Sequence, residues 1–463
     1  MSNYPRVIIA GTHSSVGKTI VTIGIMAALK QKGYKVQPFK TGPDYIDPLY
    51  HSWVVGTKSR NLDTWLLSKE VIFESIMHTA QKADISIIEG VMGLYDGFNN
   101  SEEGSTAHLA KILRAPIILV VDAKGMSRSV AAMVLGFVQF NPKVDIVGVI
   151  FNKVGSQKHY EYLRDAVKDK CGNIEVLGYL PKDKSLDIRE QHLGLPIIDR
   201  DSLLGGLIPP LAEKIVKYIN LDMIIKIARE APALPGYIPT IFPEIVQSGK
   251  VSIGVAMDDA FCFYYEDNLN ILQHLGAEIV YFSPLDDIQL PIVDGLYFGG
   301  GFPELFADKL EANISMRTWI MHASNLGMPI YAECGGMLYL LEKIISFDGK
   351  TSHMVGLIKG YAKMGERLNK LGYCTATILE DNILANKGDV IRGHRFHWSI
   401  LENTPEPNAY QLNDNEKAGF IKPNLLASYL HIHFGSQRRL AENFIKSCSQ
   451  YKEIRRKNRI KRW

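Results

Sequence analysis

Cysteine is scarce in this chain: there are five in 463 residues, an odd number, widely spaced and without a CxxC pair. That excludes a disulfide-stapled scaffold and a thiolate zinc site, and it points to a reducing compartment, expected to be the cytoplasm. Long apolar runs are missing too. No stretch approaches the ~20 residues of a membrane-spanning helix, and no signal peptide is expected because a small-residue turn already begins at Gly11. Nor is there an excess of one charge. The net charge is +3, but Lys452–Trp463 carries seven positive residues and one negative, so the rest of the chain sits near −3. Nucleic acid and membrane are therefore not expected partners, and the basic end reads as a solvated, frayed terminus. Internal repeats and low-complexity blocks are also lacking.

What is present suits two or three soluble domains, with 46% hydrophobic residues. In the first half, short Val- and Ile-rich runs (7–10, 36–39, 85–89, 117–122, 146–152) alternate with helical segments (21–30, 127–140, 160–170). Such nearly continuous runs suit parallel strands buried on both faces, so a doubly wound α/β domain is expected, its ligands at the carboxyl ends of the strands. Pro232, Pro235, Pro239 and Pro243 beside Gly236 mark a linker, since no helix or central strand tolerates them. A second α/β series follows, with strands over 251–256, 279–282, 295–298 and 330–332 and a helix near 268–274. The expected division is a phosphate-binding domain over 1–230, a linker over 231–249, a second α/β domain over 250–448 and a basic tail over 449–463.

Gly11-Thr12-His13-Ser14-Ser15-Val16-Gly17-Lys18-Thr19 lies between a strand and a helix. Backbone N–H groups of such a turn cradle phosphates, and the helix N-terminus adds partial positive charge. Gly11, Thr12, Ser15, Val16 and Gly17 supply the cradle, Lys18 reaches the β/γ oxygens and the Thr19 hydroxyl ligates Mg²⁺. Strict spacing puts Thr12, not Gly11, at the first glycine position of this P-loop. The strand Ile85–Glu89 ends in an acid and runs into the glycine-rich segment Gly90–Gly97, which resembles a Walker B element. Lys40-Thr41-Gly42-Pro43-Asp44-Tyr45-Ile46-Asp47-Pro48 sets a cation and two carboxylates on a proline-stiffened loop. Asn152 ends a later strand, where nucleotide enzymes often read the base; an ordinary loop is an equal alternative.

In the second half, Ala332-Glu333-Cys334-Gly335-Gly336 puts a cysteine on a sharp strand-to-helix turn, where small residues expose the thiol and the helix N-terminus favours thiolate. Upstream, Gly299-Gly300-Gly301 can turn N–H groups toward a developing oxyanion, with Gly300 and Gly301 as the candidates. In Tyr429-Leu430-His431-Ile432-His433, residues two apart share a strand face, so either histidine could serve Cys334 as base.

This ordered set, with Ser59-Arg60-Asn61-Leu62-Asp63, resembles the cobyrinate a,c-diamide synthases, amidotransferases of corrinoid biosynthesis. The resemblance implies a dethiobiotin-synthetase-like ATPase domain followed by a class I glutaminase-like domain. It implies ATP, L-glutamine and cobyrinate or a related tetrapyrrole as substrates, Mg²⁺ as cofactor, and a homodimer as the assembly to consider. It makes His431 the preferred base, Asp44 and Glu89 metal ligands with Thr19, Lys40 part of the nucleotide site, and Asp47 and Asp96 the residues that position the substrate carboxylate and phosphate. Ammonia released at Cys334 would reach the acyl phosphate by a covered route between the domains. Two departures stand out. Ordinary class I glutaminases end His-x-Glu, whereas His431-Ile432-His433 offers no glutamate to orient the base, a loss shared by the corrin branch. Arg395 stands in Gly393-His394-Arg395-Phe396-His397 where relatives carry Glu. The nearest alternative is the Ni-sirohydrochlorin a,c-diamide synthase of the methanogen cofactor pathway. A partition-type regulatory ATPase would share the phosphate loop but leave Cys334 unexplained.

Overall fold

The computed structural model describes residues 4–183, 200–242 and 251–457. Residues 243–249 of the expected linker, including Pro243, and residues 458–463 of the basic tail lie outside that set. The chain divides into two compact units, Met1–Ile238 and Pro239–Trp463.

The first unit is built on seven strands: β1 (Arg6–Gly11), β2 (Val36–Thr41), β3 (Arg60–Leu62), β4 (Ile85–Glu89), β5 (Ile117–Asp122), β6 (Ile146–Val154) and β7 (Glu175–Pro181). They pair in parallel in the order β3-β2-β4-β1-β5-β6-β7. The Val/Ile runs are buried throughout β1, β2 and β4, as strands covered on both faces must be. Helix α1 (Lys18–Gln31) returns from β1 and packs beside the helices Ile46–Val55 and Ile208–Tyr218. From β1 the chain crosses to β2 on one side, and from β4 it crosses to β5 on the other, so the connections diverge around β1 and open a crevice at the carboxyl ends of the strands. Ser68, Ser105 and Ser156 each accept a backbone N–H at the start of the following helix, which fixes where those helices begin.

In the second unit, β8 (Val251–Ala256), β9 (Ala277–Phe282), β10 (Gly295–Phe298) and β11 (Ile330–Glu333) are parallel in the order β9-β8-β10-β11. The strand Leu425–Ser428 adds to β11 in parallel, Glu333 opposite Ser428, and Phe420–Lys422 closes the edge antiparallel. Two further sheets were not foreseen from the sequence. A four-stranded one contains Ile358–Met364, and a five-stranded one contains Lys370–Ile378, Val390–His397 and the two-residue strand Leu430–His431.

The frayed terminus expected after residue 448 is corrected for its described part. Residues 449–457 are the last turns of the helix Arg439–Lys457. Tyr451 is buried, and Lys452 and Arg455 reach the buried carboxylate of Asp294 at 3.3 and 2.8 Å. Two of the tail's positive charges, Lys452 and Arg455, therefore have an internal partner, which the composition could not show.

Candidate active site

In the first unit the turn after β1 behaves as a phosphate loop should. Ser15 (φ 61°) and Gly17 (φ 94°) take left-handed conformations that curl the backbone ahead of α1. A side chain at Gly17 would meet Asn152 Nδ2 at 2.1 Å. Only glycine fits, on both counts. Asn152 itself donates to the Val16 carbonyl at 2.9 Å, so in the structure it braces the loop from β6. Thr12 and Gly11 are tied into the same frame through Val120 and Leu94, whose backbones they pair with at 3.3 and 2.8 Å.

Four charged groups converge under the loop. The Thr19 hydroxyl donates to Glu89 Oε1 at 2.6 Å and lies 3.4 Å from Asp47 Oδ2. Lys40 Nζ donates to Asp47, to Glu89 Oε1 at 2.9 Å and to the Gly90 carbonyl at 3.3 Å, with Asp44 3.6 Å away. Burial alone would lower the Lys40 ammonium, but Asp47, Glu89 and Asp44 outweigh it and hold it above its ordinary value. Burial, then Asp44 and Glu89, push the Asp47 carboxyl up. Glu89 goes the other way: burial raises it, and Lys40 with His51 overrides that and keeps it ionised. Burial, with Lys40 nearby, lowers the Lys18 ammonium to about 8, an arrangement that an incoming phosphate would relieve.

Other candidates sit differently. Asp44 Oδ1 accepts from the N–H groups of Ile46 and Asp47 at 2.8 and 3.3 Å, so this acid also starts the helix Ile46–Val55. Asp96 is exposed and accepts from the Gly93 N–H at 2.9 Å, on a segment packed against the phosphate loop and close enough to act on Lys18. Sequence reasoning missed His51, which holds Glu89 Oε2 at 2.6 Å. Its signal was available: four residues after Asp47 on a helix places both side chains on one face. It missed the structural role of Asn61 too, whose amide clamps the carbonyls of Gly42 and Asp44 at 2.9 and 2.6 Å.

Mg²⁺ is bound by one or two carboxylates together with waters and phosphate oxygens rather than by an all-protein cage. The all-oxygen set of Thr19, Asp44 and Glu89 beside the phosphate loop fits that description. Among the described residues no group of three or more His, Cys, Asp or Glu forms a metal cage.

In the second unit β11 ends at Glu333 and Cys334 turns the chain at φ 47°, ψ −108° into the short helix Gly335–Leu340. That conformation is strained for a residue with a side chain, typically by about 1–3 kcal/mol. The thiol lies 3.5 Å from the Phe396 carbonyl and pairs with His431. His431 is fully buried: burial lowers it, but Cys334 and Glu333 outweigh that and raise it to about 9. A side chain at Gly300 would meet His431 Cε1 at 2.6 Å, so the triglycine turn lies directly against the imidazole.

The expectation of two oxyanion donors narrows. The Gly300 N–H is committed to the Phe263 carbonyl at 3.2 Å, which leaves Gly301, whose nitrogen a side chain at Gly335 would approach to 2.9 Å. The shared face expected for His431 and His433 is also corrected, because the strand stops at His431. His433 instead caps the turn Phe434–Ser436, accepting from the Gly435 N–H at 3.0 Å and lying 3.8 Å from Asp267. Arg395 is balanced in place by Asp414 and Glu416 at 2.8 and 2.9 Å, so its charge is a local substitution with local partners.

Comparison with known proteins agrees with both halves. Residues 7–195 match the CobQ/CobB/MinD/ParA nucleotide binding domain, and residues 252–439 match the CobB/CobQ-like glutamine amidotransferase domain. The chain is 46% identical to the cobyrinate a,c-diamide synthase of Dehalococcoides mccartyi strain CBDB1, over 97% of this chain and 99% of that one. It is 43% identical to the enzyme of that name from Caldanaerobacter subterraneus, and 44% identical to that from Priestia megaterium, each over 96% or more of both chains. A nucleotide-binding α/β domain joined to a class I-type glutamine amidotransferase domain, with near full-length likeness to these enzymes, places the chain in the cobyrinate a,c-diamide synthase family.

Proposed function

We propose that this chain amidates the a and c carboxylates of cobyrinate or hydrogenobyrinate, using ATP to activate each acid and glutamine as the nitrogen source. The observation that carries this reading is the pairing, in one chain, of a nucleotide-binding domain whose Lys18 and Thr19 face an acid-tipped strand with an amidotransferase domain whose strained Cys334 pairs with a buried histidine. The relatives are named for the corrin reaction, so the nickel-sirohydrochlorin alternative is not favoured.

A carboxylate does not condense with ammonia in water because its oxygen is a poor leaving group. Attack of that oxygen on the γ-phosphorus of ATP releases ADP and leaves an acyl phosphate, from which ammonia displaces phosphate to give the amide. The phosphate loop and Lys18 hold the transferring group, while Asp47 and Asp96 position the acid. Mg²⁺ held by Thr19, Glu89 and Asp44 would neutralise phosphate oxygens. In the other domain the Cys334 thiolate attacks the glutamine amide, His431 returns the proton to the departing ammonia, and water hydrolyses the γ-glutamyl thioester to glutamate. The Gly301 N–H meets the oxyanion.

The deciding experiment incubates the protein with ATP, Mg²⁺, glutamine and, separately, each macrocycle, with mass spectrometry counting the amides added. Two amides on cobyrinate support the reading. Two on Ni-sirohydrochlorin and none on cobyrinate overturn it.

A further inference from the structure

A class I glutaminase needs an acid behind its histidine, and the position that ordinarily supplies it is His433 in this chain. His433 faces Asp267 and the Gly435 N–H rather than His431. The groups that do face His431 are Cys334, the Gly300 turn, His394 on the paired strand, and Glu333. Glu333 Oε2 lies 3.6 Å from His431 Nδ1, an ion-pair distance slightly beyond a direct hydrogen bond, and catalytic hydrogen bonds often shorten only once substrate is bound.

The carboxylate is completely buried and held from three directions. Tyr331 Oη donates to Oε1 at 2.5 Å, the Ile432 N–H donates to Oε1 at 3.0 Å, and Tyr297 Oη donates to Oε2 at 3.1 Å. A buried carboxylate without such donors would be strongly disfavoured. Burial, then Glu333 itself, raises both tyrosines well above their ordinary values, so they stay neutral donors. Register places the group: β11 pairs with Leu425–Ser428, Glu333 opposite Ser428, so the residue before the nucleophile arrives beside the segment that carries the base.

We propose that Glu333 is the positioning residue that orients His431, completing a Cys334–His431–Glu333 relay in which the acid directly precedes the nucleophile in sequence. The inference rests on Cys334 being the glutaminase nucleophile, and it adds the member that the His-x-His ending lacks. The orienting carboxylate fixes the imidazole tautomer and stabilises the imidazolium that forms when the thiol gives up its proton.

The test compares E333Q with the unaltered full chain in two measurements. The first is glutamine-supported amidation relative to ammonia-supported amidation. The second is the pH profile of Cys334 alkylation by iodoacetamide. E333Q should lower kcat with glutamine on the order of 10²- to 10⁴-fold with little change in KM, and the alkylation profile should move to higher pH. Tyr331→Phe, which removes one tie to Glu333 but keeps the carboxylate, should lower kcat less than tenfold. A merely structural Glu333 predicts equal losses in E333Q and Tyr331→Phe with an unmoved alkylation profile, and that result overturns the proposal. If E333Q also loses ammonia-supported synthesis, E333D decides: an intermediate glutamine rate with a shifted profile supports the proposal, and an unshifted profile overturns it. Retained glutamine use in C334A would instead sink the underlying reading, whatever Glu333 does.

Discussion

Each unit bends its chain sharply at the carboxyl end of a buried parallel strand, β1 in the first and β11 in the second, but the two bends are loaded differently. At Gly17 the backbone is the working part. The left-handed conformation at Gly17 falls on a residue without a side chain, and Asn152 fills the space that one would need. With Cys334 as the proposed nucleophile the side chain is the working part, so glycine cannot take the bend, and φ 47° carries strain in its place. The surroundings follow suit. Beneath Gly17 lie charges that neutralise one another around Lys40; beside Cys334 lies an imidazole set against Gly300 and a carboxylate that two tyrosines hold. Anion binding wants exposed donors on a stiff frame, whereas nucleophilic attack wants one group held in a single orientation.

The largest effects should separate the bends outright. Cys334→Ala should abolish glutamine-supported amidation while ammonia still supports it, and Lys18→Ala should lose on the order of 10²-fold or more with either nitrogen source; coupled measurement of ADP and amide checks both. Gly300→Ala comes next. Its methyl would collide with His431 at 2.6 Å, and displacing a catalytic group by that kind of margin costs roughly 10²-fold in glutamine turnover. An unchanged glutaminase rate in this variant would show that the triglycine turn does not hold the base.

Stability against pH sharpens the comparison from another side. His431 is raised from 6.5 to about 9, so its stabilisation is complete below pH 6.5 and is lost as pH rises through 9. Burial, then His431, lowers His394 to about 3, so its contribution is complete above pH 6.5 and is lost as pH falls toward 3. Denaturant midpoints should therefore fall on both sides of neutrality. His431→Gln should flatten the alkaline limb, and His394→Asn the limb between pH 6.5 and 5. The smallest expected effect is Arg395→Ala. Its partners Asp414 and Glu416 are each 42% exposed, so the loss should be about 1 kcal/mol or less in a denaturation midpoint, with glutamine turnover changed little.

What could be read from residues alone was whatever is local. The phosphate loop, the acid at the end of β4 and the cysteine turn are each contained in about ten residues, and their chemistry follows from types and spacing. The partners that complete them come from far along the chain. His51 meets Glu89 across 38 residues, and Glu333 meets His431 through the pairing of β11 with Leu425–Ser428. Glu333 was in plain view beside Cys334, but its role depends on register that no short window contains. Period-two reasoning failed at His433 because it assumed a strand longer than the two residues Leu430–His431. The charge of the C-terminal segment misled for a similar reason: Asp294, its partner, lies in another part of the sequence.

Lys40 carries one more implication. Several negative groups crowded into one pocket would ordinarily push apart unless a cation quenched them. Here a tethered ammonium does that job permanently, as an internal counterion, touching Asp47 and Glu89 at once. The pocket's acids should therefore hold their places without any added cation, because the charge that balances them belongs to the fold itself.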